Sequence, residues 1–193
     1  QPHEVAVSRM YAYTGGNRQR TRPRGVLRAV ALDTGETRWQ QVIESERETF
    51  AGFLAPPQRA GKGLVVPVRR NGRFRLWTLS AEDGELIRDI DLALLRSSRG
   101  VETGVGMASR GGRVYLSCGE GVIFAVRAHT GEIEWASRYR RPKSQNEARW
   151  VRIRSGGRSQ QGASGWQNAR VALVGSKVIA LPGDRHAILG FHA

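Results

Sequence analysis

The stretch Ala125-Val-Arg-Ala-His-Thr-Gly131-Glu-Ile-Glu-Trp135 decides the fold, because the chain repeats it. Ala29-Val-Ala-Leu-Asp-Thr-Gly35-Glu-Thr-Arg-Trp39 and Thr78-Leu-Ser-Ala-Glu-Asp-Gly84-Glu-Leu-Ile-Arg88 fit the same frame without a gap, so that the Gly-Glu pairs stand 49 and 47 residues apart. A fourth copy opens at Ile188-Leu-Gly-Phe-His-Ala193, in register with Ile123-Phe-Ala-Val-Arg-Ala128. A glycine fits between two extended runs because the reversal needs positive φ, which a residue without Cβ adopts at low cost.

Working outward, each copy has a short apolar run and a turn before it. These are Met10 to Tyr13 then Gly15-Gly16, Leu64 to Val68 then Asn71-Gly72, Val114 to Cys118 then Gly119-Glu-Gly121, and Val178 to Leu181 then Pro182-Gly183. Weaker runs precede these at Phe50 to Leu54, Val105 to Ala108 and Val171 to Val174, with a partial one at Val5. One more extended run follows each Gly-Glu, as in Ile133 to Ser137. Four short antiparallel strands per repeat of about 45 residues, with no helical periodicity, predict propeller blades. The expected class is therefore all-β, with nearly four blades of a larger seven- or eight-bladed propeller. The expected bounds are 4–43, 49–92, 104–138 and an incomplete 171–193, with a basic insertion over 138–170. We label the strands A to D from the inner edge outward.

The alanine ending strand C and the tryptophan starting strand D suit a small residue making room for an indole between neighbouring blades. This pattern resembles the docking motif of PQQ-like propellers, Ala-x-Asp-x-x-Thr-Gly-x-x-x-Trp. The third copy matches it at Ala125, Thr130, Gly131 and Trp135, with Arg127 at the Asp place, and the first at Ala29, Thr34, Gly35 and Trp39, with Ala31 there. The second keeps only Gly84. The resemblance covers nearly the whole chain and concerns packing, so it implies a fold more than a function. It points to two branches: quinoprotein alcohol dehydrogenases with PQQ and calcium, and the outer-membrane assembly lipoprotein, which binds partners and no cofactor. It also implies export, to the periplasm or beyond. Because an open half-propeller exposes strand edges, the remaining blades are expected from the same polypeptide, with a second copy as the alternative. Gln1 in place of Met, with no basic-then-apolar leader, reads as a processed product or a piece of a longer chain.

The 193 residues, 39% of them hydrophobic, suffice for one domain. No apolar run approaches the roughly 18 residues of a spanning helix. Cys118 is the one cysteine, which excludes an intrachain disulfide, and with His3, His129, His186 and His192 it offers no zinc spacing.

The net charge of +14 rests on 28 arginines among 31 basic residues, and it is concentrated. Residues 17–28 carry Arg18, Arg20, Arg22, Arg24 and Arg28 with no acid. Residues 138–170 carry Arg138, Arg140, Arg141, Lys143, Arg149, Arg152, Arg154, Arg158 and Arg170 against Glu147 alone. The first stretch joins strand B to C and the second joins D to A, so both are expected on one rim. A connection of about 30 residues is functional or disordered. The functional reading is an anion- or partner-binding face of Arg18, Arg20, Arg22, Arg24, Arg140, Arg141, Lys143, Arg152 and Arg154, with Trp150 and Trp166 as stacking surfaces. Its partner would be a protein or an anionic polymer. Nucleic acid is disfavoured for want of any known module. The plain alternative is a solvated loop that aids solubility.

Chemistry is thin elsewhere. Glu44, Glu46 and Glu48 read as a solvated run, Asp89 and Asp91 as outer surface, and Gly104 to Ser109 as a loop that opens no helix. No catalytic, cofactor or metal residues are assigned, and catalysis is disfavoured. The chain is expected to be a non-catalytic binding scaffold. Its alternatives are a segment of a PQQ- and calcium-dependent dehydrogenase and an architectural subunit of a large assembly. Ala29, Gly35, Trp39, Gly84, Ala125, Gly131 and Trp135 are expected to dock blade on blade.

Overall fold

The computed structural model describes residues 3–10, 24–43, 52–94, 105–119, 121–140, 169–183 and 187–193, with only the backbone of 3–10 and of Arg24. Those residues form four antiparallel sheets. The first holds β1 (His3–Met10), β2 (Arg24–Ala31) and β3 (Thr37–Ile43). The second holds β4 (Gly52–Phe53), β5 (Gln58–Ala60), β6 (Gly63–Arg70), β7 (Arg73–Ser80) and β8 (Leu86–Leu94). The third holds β9 (Gly106–Arg110), β10 (Arg113–Ser117), β11 (Val122–Arg127) and β12 (Glu132–Arg138), and the fourth β13 (Arg170–Val174), β14 (Lys177–Leu181) and β15 (Leu189–His192). The class is all-β, an open succession of propeller blades. The third sheet shows the full order A-B-C-D as β9-β10-β11-β12.

The second and third sheets are apolar on both faces, because each has a neighbour on either side. In β7, Phe74 and Leu76 join Val114, Leu116, Phe124 and Val126 of the third sheet, whereas Trp77 and Leu79 join Leu27, Ala29 and Trp39 of the first. The period-2 alternation of a strand thus serves two cores rather than a core and a solvent face. A smaller cluster of Tyr115, Ala125, Val178 and Trp135 joins the third and fourth sheets.

Two strands differ from the sequence reading. In the first sheet His3–Met10 is one run, so Val5 and Met10 share a strand instead of belonging to two, while Tyr11 to Tyr13 lie outside the described residues. Eight continuous pairs, Val5 opposite Ala29 and Val7 opposite Leu27 among them, match all of β2, which a strand beginning at Met10 would not do. Strand A of the second sheet is split into β4 and β5 around Pro56-Pro57. The cause is Pro67 in β6. Its carbonyl accepts from the Leu54 amide at 2.9 Å, so that side of β6 faces strand A. The proline has no amide to return the bond, and the inner strand leaves the ladder until Gln58 pairs with Val65.

The docking residues follow one geometry. Trp39 on β3 lies over the Gly84 turn of the next sheet, so closely that a Cβ on Gly84 would sit 2.5 Å from the ring. Its Nε1 donates to the Ala81 carbonyl at 3.2 Å, and Gln41 Nε2 donates to the Gly84 carbonyl at 2.8 Å. Between the second and third sheets Arg88 replaces the indole, and its stem lies 2.9 Å from where a Gly131 Cβ would be. Thr78, where the other copies have alanine, donates its hydroxyl to the Ala128 carbonyl at 3.3 Å. The equivalent carbonyl is therefore satisfied by a different donor in each pair. In all three sheets a bulge precedes the docking position, pairing Ala29 with Trp39, Thr78 with Arg88 and Ala125 with Trp135. Trp135 stacks on Phe191 of the fourth sheet at 5.5 Å.

Trp39→Ala is expected to lower the free energy of unfolding in urea by about 3–5 kcal/mol. A loss within about 0.5 kcal/mol, as for an ordinary surface change, would mean that docking carries no stability. At the second interface the two substitutions are expected to be coupled. Arg88→Trp alone drives an indole against the Thr78 methyl, and Thr78→Ala alone leaves the Ala128 carbonyl without its donor. The double variant should unfold at higher urea than either single one, and additive losses would contradict the coupling.

Candidate partner-binding face

Because successive strands run in opposite directions, the A–B and C–D turns emerge at one rim of the blades and the B–C and D–A connections at the other. Among the described residues the first rim is mixed, with Lys62, Arg110, Arg113 and Lys177 exposed in or beside its A–B turns and acids in its C–D turns. Asp33, Glu36, Glu82, Asp83, Glu85 and Glu132 all stand exposed in or beside the three C–D turns. Their placement is partly a local necessity. Asp83 accepts the Glu85 amide at 3.0 Å and so closes its turn. The Glu85 amide, with the Ser80 hydroxyl, holds the Asp83 carboxyl below its ordinary range.

The other carboxylates with described side chains, Asp89, Asp91 and Glu134, lie on outer strands and are matched. Arg75 pairs with Asp89 at 2.6 Å, and Arg73 with Asp91. Glu134 takes Arg127 at 2.6 Å and Arg113 at 2.8 Å. Burial pushes the Glu134 carboxyl up, but the two guanidinium groups outweigh it and hold it below its ordinary value. These pairs commit Arg73, Arg75, Arg113 and Arg127 to carboxylates of the outer strands.

On the B–C rim the described cations are arginines. Arg69 and Arg70 end β6 and Arg73 begins β7, about a tight turn in which Asn71 and Gly72 take φ of 54° and 67°. Arg138 ends β12 and Arg140 follows it. The Tyr139 amide donates to the Gly121 carbonyl at 2.9 Å and holds this exit against the third sheet. Arg170 begins β13. Its backbone lies 2.8–2.9 Å from where a Cβ on Gly106 would stand, an approach only glycine allows. Arg70, Arg138, Arg140 and Arg170 are exposed. The long D–A connection thus leaves the outer strand of the third sheet between Arg138 and Arg140 and returns at Arg170 on the inner strand of the fourth.

Of the cations named from sequence, Arg140 is described and exposed, and Arg24 begins β2 opposite Met10. Arg28 belongs to β2, where its Nε donates to Gln40 at 2.8 Å. Arg18, Arg20, Arg22, Arg141, Lys143, Trp150, Arg152, Arg154 and Trp166 lie outside the described residues, as do Glu44, Glu46, Glu48 and His186. The sequence reading passed over Arg69, Arg70 and Arg73, although the Asn71-Gly72 turn that presents them was plain. Their charge was hidden by near-neutral totals outside the insertions, and of the three Arg73 pairs with Asp91 whereas Arg70 stands exposed. Among the described residues no three of His, Cys, Asp and Glu gather to hold a metal ion, and no helix is long and apolar enough to cross a membrane.

The sequence pattern of the outer membrane protein assembly factor BamB matches residues 3–181. The chain belongs to that family. The structure of BamB from Moraxella catarrhalis is similar to this BamB-family chain over 88% of its length and 46% of its own, with 18% identity and a TM-score of 0.54. That likeness is one of fold. A computationally designed protein, Ika8, matches over 86% of this chain and 52% of its own at 10% identity and a TM-score of 0.36. The glutaminyl cyclase of Myxococcus xanthus matches over 86% and 81% at 12% identity and a TM-score of 0.30. The chain spans about half the length of the first two. No curated protein sequence matches it.

The depressed Glu134 carboxyl carries a pH signature. A carboxyl whose folded pKa lies below its unfolded value stabilises above the unfolded value, and that gain is lost as pH falls through the folded one. Thermal melts should therefore fall as pH drops below about 4.5, the group's ordinary value. Glu134→Gln is expected to remove part of that dependence, and parallel melting curves for the two proteins would contradict the assignment.

Proposed function

We propose that this chain acts as a non-catalytic scaffold in the assembly of outer-membrane proteins, facing the periplasm, and that its B–C rim docks an acidic segment of a partner protein. Membership of the BamB family supports the scaffold role. The observation that carries the docking face is a cluster of cations: Arg70, Arg138, Arg140 and Arg170 stand exposed at the B–C rim. The insertions that contain Arg18, Arg20, Arg22, Arg141, Lys143, Arg152 and Arg154 join strands at that same rim, so their charge would add to it.

Arginine suits such a surface. Its planar fork grips a carboxylate with two parallel hydrogen bonds, and it is less strongly hydrated than lysine. Several such contacts spread over a rim favour fast, salt-sensitive capture over tight locking. A scaffold that passes clients along needs that behaviour.

Polyglutamate immobilised on a sensor serves as the probe. The chain is expected to bind it at low salt and to release it at high salt. Reversing Arg70, Arg138, Arg140 and Arg170 to glutamate should weaken binding by about tenfold or more and flatten the salt dependence, with little change in Tm because these side chains lie outside the cores. Binding equal to that of the unaltered chain would reject the face. A collapsed Tm would make these arginines structural.

A further inference from the structure

Leu86, Ile87 and Ile133 are large, aliphatic and exposed, at 38%, 58% and 41%. They stand at the starts of the outer strands β8 and β12, directly after the second and third C–D turns. A further sheet of the same repeat has no place over them, because both faces of the second and third sheets already have neighbours. The repeat does not require them either. The first copy has Thr37 and Arg38 where the second has Leu86 and Ile87, and the third has Glu134 in the place of Ile87. A lone exposed leucine is ordinary, but three such side chains on adjoining strands mark a surface that meets something. The strands adjoin because the Gly131 turn rests on the stem of Arg88, 2.9 Å from where its Cβ would be, which sets the start of β12 against the start of β8.

The setting is acidic. Glu36, Glu82, Asp83 and Glu85 stand exposed about the same strand starts, and among the described residues none of them is in an ion pair. Glu132 is matched by Arg127 at 3.1 Å. The cations Lys62, Arg110, Arg113 and Lys177 of this rim belong to the A–B turns, nearer the inner strands. At this end of the outer strands Arg88 lies across Gly131 and Arg38 is exposed.

We propose that the starts of β8 and β12, with the acids of the C–D turns, dock an amphipathic helix of a partner protein that carries an apolar stripe flanked by lysine or arginine. The unpaired carboxylates select a basic segment, and the aliphatic side chains select one with an apolar face. An extended strand is the poorer guest. Bulges between Phe74 and Arg75 and between Thr78 and Leu79, with the charged pairs of Arg75 with Asp89 and Arg73 with Asp91, guard the free edge of β8 against pairing. A helix suits the spacing. Packed sheets stand about 10 Å apart, and positions i and i+7 of a helix, at about 1.5 Å per residue, span the same distance. The site lies on the opposite rim from the proposed arginine face and does not depend on it.

The test titrates a synthetic helix of leucine and lysine, about 14 residues long with its leucines on one face, into the protein expressed from its own gene with any flanking sequence retained, followed by calorimetry. A peptide of the same composition in scrambled order is the control. The 193 residues carry a net charge of +14, so general electrostatics repel both peptides and binding reports a local site. The amphipathic peptide is expected to bind and the scrambled one to fail. Leu86→Ser with Ile87→Ser should weaken binding by about tenfold, and Glu82→Gln with Glu85→Gln should weaken it comparably. Both pairs are exposed, so Tm is expected to hold, and polyglutamate binding should be unchanged by the serine pair, which keeps this site apart from the arginine face. If the serine pair lowers Tm, Ile133→Ser gives the same readout from β12. Equal binding of the scrambled peptide, binding of neither, or an affinity that these serine substitutions leave unchanged would overturn the proposal. Sedimentation with neutral phosphatidylcholine vesicles that the serine pair abolishes would overturn it too, by assigning the patch to lipid.

Discussion

Everything in this structure depends on the contact between the outer strand of one sheet and the C–D turn of the next. A sheet with apolar side chains on both faces cannot stand in water by itself, because its alternation leaves no solvent side. It persists only when a neighbour covers each face at a fixed distance and angle. The turn glycine sets that distance by presenting bare backbone to a broad side chain. Trp39 over Gly84 shows the contact in full, with ring packing and two hydrogen bonds to turn carbonyls. Arg88 over Gly131 keeps the shape of the contact but passes the hydrogen bond to Thr78.

The same architecture distributes charge. Strands that alternate between two cores leave few positions for polar side chains, so charge moves to the outer strands and the rims. Outer-strand carboxylates draw in the arginines beside them, as Arg73 and Arg75 do with Asp89 and Asp91. Turn chemistry favours aspartate in the C–D turns, because its side chain satisfies a turn amide, as Asp33 and Asp83 do. Exposed Lys62, Arg110, Arg113 and Lys177 stand beside those acids in or next to the A–B turns, and the B–C rim carries Arg70, Arg138, Arg140 and Arg170. The arginines on which the proposed docking rests thus stand where the strands turn corners, and they give the basic insertions a surface of matching sign to extend.

The repeat was legible because its residues are fixed by backbone conformation and packing size, two constraints that act within a few residues. Gly35, Gly84 and Gly131 announced the turns, and Ala125 with Trp135 the pairing across strands C and D. Pro67 was visible but its effect was not, since the missing amide matters only once a partner strand lies on that side. Val5 and Met10 were assigned to two strands because only Met10 to Tyr13 looked apolar locally, whereas their partner β2 joins them in one run, His3–Met10, through register. Arg69, Arg70 and Arg73 escaped notice since charge summed along the chain does not know which acids lie near which bases.

The sequence by itself determined an all-β repeat, its period, its turn positions and the family to which the chain belongs, because spacing and residue size encode those locally. Only the tertiary structure decided which arginines are spent in ion pairs and which stand at the rim, how Thr78 takes over the hydrogen bond of an indole, and that among the described residues the turn at Gly35 meets no neighbour. Those facts depend on distances between sheets, and a pattern read along one strand contains no measure of what the next sheet brings to it.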